Sequence, residues 1–125
     1  MIPNLTGQKV TTVSLDYRVR FFTDLGWQFD LEGDVELDAG GHEPVHVDKT
    51  GPDTPLPPLL ENIAGQEIRD VRVSESGDLA VVLESVVVVT RSDPNYESWQ
   101  VYGPEGEILV CGPGGRLTTW GPRPH

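Results

Sequence analysis

The stretch YRVRFFTDLGWQFDLEGDVELD, residues 17–38, restricts the fold more than any other part of the chain. Asp30, Glu32, Asp34, Glu36 and Asp38 occupy every second position, and Phe29, Leu31, Val35 and Leu37 stand between them. A period of two gives an extended strand one apolar and one acidic face, so 27–37 reads as a half-buried strand. The turn before it sets the register. If Asp24, Leu25 and Gly26 form a three-residue loop with Gly26 left-handed, Thr23 pairs with Trp27. Phe21 then faces Phe29 and Val19 faces Leu31 on the apolar side, while Arg20 meets Asp30 and Arg18 meets Glu32 on the other. A slip of one residue would break both faces at once.

Dense Gly and Pro punctuation, 14 and 11 residues, separates short runs rich in Val, Thr, Phe and Tyr, which favours strands and hairpins over long helices. Strands are predicted at 8–15, 17–23, 27–37, 44–48, 67–74, 79–84, 86–91, 99–102, 107–111 and 116–120. One helix is expected in TPLPPLLENIAG, with Thr54 as N-cap, Pro55 in the first turn, Gly65 as C-terminal cap, and Leu56, Leu59, Leu60 and Ile63 facing the sheet. A short turn opens at Asp93-Pro94. LAVVL and VVVVT show no alternation and read as strands buried on both faces, closed by Trp99, Tyr102 and Trp120.

The chain repeats itself. GQKVTTVSL at 7–15 matches GQEIRDVRV at 65–73, and each copy precedes two further strand-like runs. The expected architecture is one α+β domain over 1–125, mainly antiparallel sheet, built from two related meanders in halves of about 5–50 and 63–120 with a helix between them.

Twenty Asp and Glu against nine Lys and Arg give a net charge of −11, which repels a polyanionic backbone and argues against nucleic-acid binding. The same charge suits a basic protein partner. No apolar run approaches a membrane span, the N-terminal residues show no signal peptide, and the lone Cys111 fits a reducing compartment, so a cytoplasmic protein is expected.

Three motifs invite chemistry. HEPVH at 42–46 has the spacing of a zinc-protease signature, but that chemistry needs a helix. Two glycines precede the motif and Pro44 interrupts it. On a strand the two histidines lie about 13 Å apart, too far for one ion. Cys111 has no histidine nearby in sequence to act as base, and GPGG at 112–115 lacks the residues of a phosphate cradle. Neither metal nor cofactor is expected, and calcium is disfavoured because alternate carboxylates on a strand stand ~6.6 Å apart.

Asp93, Pro94, Tyr96, Glu97 and Trp99, then Gly103, Pro104 and Gly106, then Pro113, Gly114, Gly115, Leu117 and Trp120 form a C-terminal signature, and the chain starts with GQKVTTVSLDY. In these features, which span most of its length, the chain resembles a family of small, uncharacterised, mostly actinobacterial proteins. Glu84-Ser85 departs from that pattern, which has an Asp-Gly type of turn there. The resemblance implies no catalytic residues.

These readings converge on a non-enzymatic protein-binding module, immunity- or antitoxin-like or regulatory. Asp34, Glu36 and Asp38 form its unpaired acidic strip, and Trp27 or Tyr17 supplies an aromatic anchor. The rivals are a small-molecule-binding or hydrolytic domain with a pocket near His42, His46 and Cys111, and a structural homo-oligomer such as a homodimer.

Overall fold

The computed structural model describes residues 4–122. Eleven strands form two antiparallel sheets. In chain order they are β1 (Val10–Leu15), β2 (Val19–Thr23), β3 (Gln28–Leu31), β4 (Val35–Asp38), β5 (Val45–His46), β6 (Asp70–Val73), β7 (Leu79–Val82), β8 (Val87–Thr90), β9 (Trp99–Tyr102), β10 (Ile108–Cys111) and β11 (Leu117–Trp120). The six-stranded sheet runs β1-β2-β3-β9-β10-β11 and the five-stranded sheet β5-β4-β8-β7-β6. Among the described residues the fold is mainly antiparallel β with a single short α-helix.

The first hairpin has the expected register: Phe21 pairs with Phe29, Val19 with Leu31 and Arg20 with Asp30. Gly26 takes φ +90°, and the Thr23 N–H donates to the Trp27 carbonyl at 2.9 Å. The two phenylalanine rings stack with centroids 4.7 Å apart.

The predicted strand 27–37 is two strands. It breaks at Glu32-Gly33-Asp34, where the chain leaves one sheet and enters the other. Gly33 permits the crossing, because a Cβ there would sit 2.9 Å from the Arg91 carbonyl oxygen and 3.0 Å from Ser98 Cβ. The alternation survives because both sheets turn their inner faces to one core, so Phe29, Leu31, Val35 and Leu37 are all fully buried.

The helix is also shorter than expected. α1 spans only Pro58–Glu61, with Pro57 at its N-cap. Pro55, Pro57 and Pro58 withhold backbone donors from the preceding segment. Thr54 uses its hydroxyl to close a turn onto the Gly51 carbonyl at 2.7 Å.

The two halves are related by an internal two-fold. β1-β2-β3 continues with β9-β10 in one sheet, as β6-β7-β8 continues with β4-β5 in the other. The junctions agree residue for residue: Leu31 pairs with Trp99 where Thr90 pairs with Val35, and Phe29 with Val101 where Val88 pairs with Leu37. The repeated Gly-Gln segments pair with each other on this axis. The Gly7 N–H donates to Ile68 O at 2.8 Å and its counterpart Gly65 N–H to Val10 O at 2.7 Å. Val10 N–H to Gln66 O and Ile68 N–H to Gln8 O form the second matched pair. The edges β1 and β6 are thereby tied together at their starts. β11 is an extra strand of the six-stranded sheet, with no counterpart in the other half among the described residues.

Candidate protein-binding face

The two-fold places two outer sheet faces in equivalent positions, and their chemistry differs. On the six-stranded sheet the centre is a charge network. Asp30 is buried, with the Arg20 guanidinium bidentate on it at 2.7 and 3.1 Å, Gln28 at 3.0 Å and Arg18 at 3.5 Å. Burial pulls the Asp30 carboxyl upward, but the hydrogen bonds from Arg20 and Gln28 and the charges of both arginines outweigh it and hold the group below its ordinary value. Arg18 also approaches Glu32 at 3.8 Å, and the Gln100 amide bonds Glu32 at 2.9 Å. Beside them Tyr102 has its phenol pushed up by burial and by Asp30, Glu32 and Glu97.

On the five-stranded sheet the equivalent centre is apolar. Val89 stands where Asp30 stands, Val87 replaces Gln28, and Ala80 replaces Arg20. Leu79, Val81, Leu83, Val86 and Val88 point inward and are buried, whereas Ala80, Val82, Val87 and Val89 remain partly exposed. The valine-rich strands are therefore covered on one face only. Among the described residues no further layer lies over the other face, so alternation returns as buried against partly exposed.

The ladder of five carboxylates is divided by the crossing at Gly33. Asp30 and Glu32 belong to the neutralised face. Glu36 and Asp38 stand on β4 beside the valines, Glu36 opposite Val89 and Asp38 opposite Val87. Neither forms an ion pair among the described residues; Asp38 only accepts the Gly40 N–H at 3.0 Å. Asp34 lies on the crossing, 78% exposed, 3.7 Å from His46 Nε2, and Asp48 lies 3.6 Å from the other ring nitrogen. Lys49 turns inward, its ammonium on the Gly33 carbonyl at 2.7 Å. Burial lowers its pKa against the opposing pull of Asp34 and Asp48.

The two aromatic candidates lie elsewhere. Trp27 is buried at the β2–β3 turn, and Tyr17 is exposed on the β1–β2 turn beside Gly51. Neither belongs to the valine face. What the sequence reading missed is that face itself. Its signal was present in the alternate members of LAVVL and VVVVT, but only the absence of a covering layer reveals it.

The zinc-like motif does not form a helix; His42 lies in a bend of the chain and His46 in β5. Among the described residues no group of three His, Cys, Asp or Glu is arranged to hold a metal ion. Cys111 is buried and points to the Gly77 carbonyl at 3.4 Å, and burial pushes its thiol pKa up. His46 lines an open groove of about 530 Å³ with Val45, Asp48 and the Thr50–Pro58 side, and neither His42 nor Cys111 reaches it. No helix among the described residues is long and apolar enough to cross a membrane.

A model of a family of unknown function, DUF6188, matches residues 1–121. The chain belongs to that family. No curated protein and no solved structure matches it. Membership in DUF6188 assigns no activity, so any role for these residues rests on their geometry. Of the C-terminal residues that carried the resemblance, Asp93, Trp99 and Pro113–Gly115 are structural within this DUF6188 fold, whereas Tyr96, Leu117 and Trp120 are exposed and Trp120 does not close over the valine strands. Asp93 Oδ1 accepts the amides of Asn95 and Tyr96, Trp99 is fully buried, and Pro113–Gly115 form a tight 3-10 turn.

Proposed function

We propose that the chain is a non-enzymatic cytoplasmic protein-binding module, immunity- or antitoxin-like or regulatory, which takes a basic protein on the outer face of the five-stranded sheet. One observation carries this reading: Glu36 and Asp38 stand opposite the partly exposed Val89 and Val87 and pair with no cation among the described residues, while on the equivalent face of the other sheet Arg18 and Arg20 pair with Asp30. An apolar centre with a charged rim is the usual anatomy of a protein interface, and a rim of unpaired carboxylates speeds and orients a basic partner. The test is capture from a lysate of the source organism by wild type and by Asp34→Lys/Glu36→Lys/Asp38→Lys. A basic protein held by wild type at low salt and lost from the variant supports the reading; unchanged capture refutes it.

The groove beside His46 favours a second reading, a small-molecule-binding or hydrolytic site, for which a thermal-shift ligand screen is the direct test. The exposed Leu117 and Trp120 on the edge strand β11 favour a structural homo-oligomer, which light scattering would detect.

A further inference from the structure

The internal two-fold exposes an unfilled strand position. β10 corresponds to β5, because Leu109 pairs with Val101 as Val45 pairs with Leu37. On its far side β10 carries β11, with Val110 opposite Thr118. Among the described residues no strand lies on the far side of β5. The groove of about 530 Å³ lies there, between His46 and the Leu56-Pro57 segment.

The backbone of β5 is set to receive a strand. The Val47 N–H donates to Val35 O at 2.9 Å, so Val45 and Val47 direct their peptide groups to β4 and His46 directs its own away from it, into the groove. Its counterpart Val110 uses the same outward groups to hold β11, as the bond from Gly112 N–H to Arg116 O at 2.8 Å fixes by alternation. The reason the first half lacks its own sixth strand is in the sequence. The chain beyond β5 contains Pro52, Pro55, Pro57 and Pro58, which cannot contribute a regular ladder.

We infer that the β5 edge takes an extended basic segment of the protein partner as a sixth strand, an inference that rests on the protein-binding reading above. Charge selects the occupant. Asp34 and Asp48 flank the His46 ring at 3.7 and 3.6 Å, both strongly exposed, and Glu36 stands opposite His46 in the ladder. An added strand with Lys or Arg at alternate positions meets these carboxylates while its backbone pairs with His46. The other side chains of the strand rest on Val45, Leu56 and Pro57.

The probe is an end-blocked Lys-Val-Lys-Val-Lys-Val peptide, titrated against the full chain at low salt and followed by amide NMR, with Glu-Val-Glu-Val-Glu-Val as the control. The expected results are saturable binding of the basic peptide alone, slowed hydrogen exchange at the His46 amide, and at least about tenfold weaker binding by His46→Pro. That variant removes the outward donor and keeps every carboxylate. No binding of the basic peptide, binding without protection of the His46 amide, or equal binding by a folded His46→Pro variant overturns the inference. If His46→Pro does not fold, protection of the amide in wild type decides alone. Capture of the partner by His46→Pro alongside its loss from the triple lysine variant would sink the added strand and leave the protein-binding reading standing.

Discussion

The indole N–H of Trp99, at the start of β9, donates to the backbone carbonyl of Gly77 in the β6–β7 turn at 2.8 Å. The bond ties the six-stranded sheet to a turn of the five-stranded one, and the same carbonyl receives the Cys111 thiol. Gly77 and Gly115 allow the approach, since a Cβ on Gly77 would lie 2.6 Å from Gly115 Cα. Trp99→Phe removes the donor and part of a fully buried side chain. It should destabilise the fold by about 2–4 kcal/mol, measured by urea unfolding. Loss below about 0.5 kcal/mol would mean that the indole bond and packing are dispensable.

Asp30 sets an acid limb on stability. Its folded pKa lies below the unfolded value, so its contribution is present above the ordinary carboxylate range near 3.8 and is lost as pH falls through the depressed folded value. Asp30→Asn should cost about 1.5–3 kcal/mol at pH 7, because two charge-assisted bonds to Arg20 go. Its stability should also fall less than that of wild type between pH 5 and pH 2. Parallel curves for the two proteins would contradict the role given to this carboxyl.

The crossing at Gly33 admits no side chain without movement of the Arg91 carbonyl or Ser98. Gly33→Ala should therefore destabilise by about 1–3 kcal/mol through overpacking, although Ala has the higher strand propensity. A chemical denaturation midpoint equal to that of wild type would show that the crossing can relax.

The same glycine marks the limit of what the sequence discloses. The hairpin of β2 and β3 is legible because its apolar and charged faces each demand the same pairing of Phe21 with Phe29 and Arg20 with Asp30. The split of 27–37 is not, since a period of two cannot register a change of sheet when both sheets share one core. Gly33 within a strand pattern is the single sign of it. The helix shrank because Leu56, Leu59, Leu60 and Ile63 keep helical spacing across prolines that deny the helix its early turns. The valine runs hid their alternation because both faces carry the same residue type. The acidic strip was legible as carboxylates, but its separation from Asp30 and Glu32 follows from the crossing, and the groove beside β5 follows from a two-fold that only topology displays.

Reversal of Asp34, Glu36 and Asp38 to Lys takes the net charge from −11 to −5 and touches no buried group. Asp38 gives up a local bond to Gly40, and Asp34 a weak contact with His46. The triple variant should melt within about 3 °C of wild type, as exposed substitutions usually do, so that a loss of partner capture reports on the interface and not on unfolding. A fall of more than about 10 °C would place these carboxylates in the fold instead.

Cys111 is fully buried against the Gly77 turn, and burial, aided by Asp78, raises its thiol pKa against the opposing effect of Ser98. The nucleophile in alkylation is the thiolate, so the folded protein should react with iodoacetamide at pH 8 at least about a hundredfold more slowly than the protein in denaturant. The residual rate should track the global unfolding equilibrium, and Trp99→Phe, which loosens the same turn, should raise it in proportion to its lost stability. Fast labelling of the native protein would mean that β10 and β11 open without the rest of the sheet.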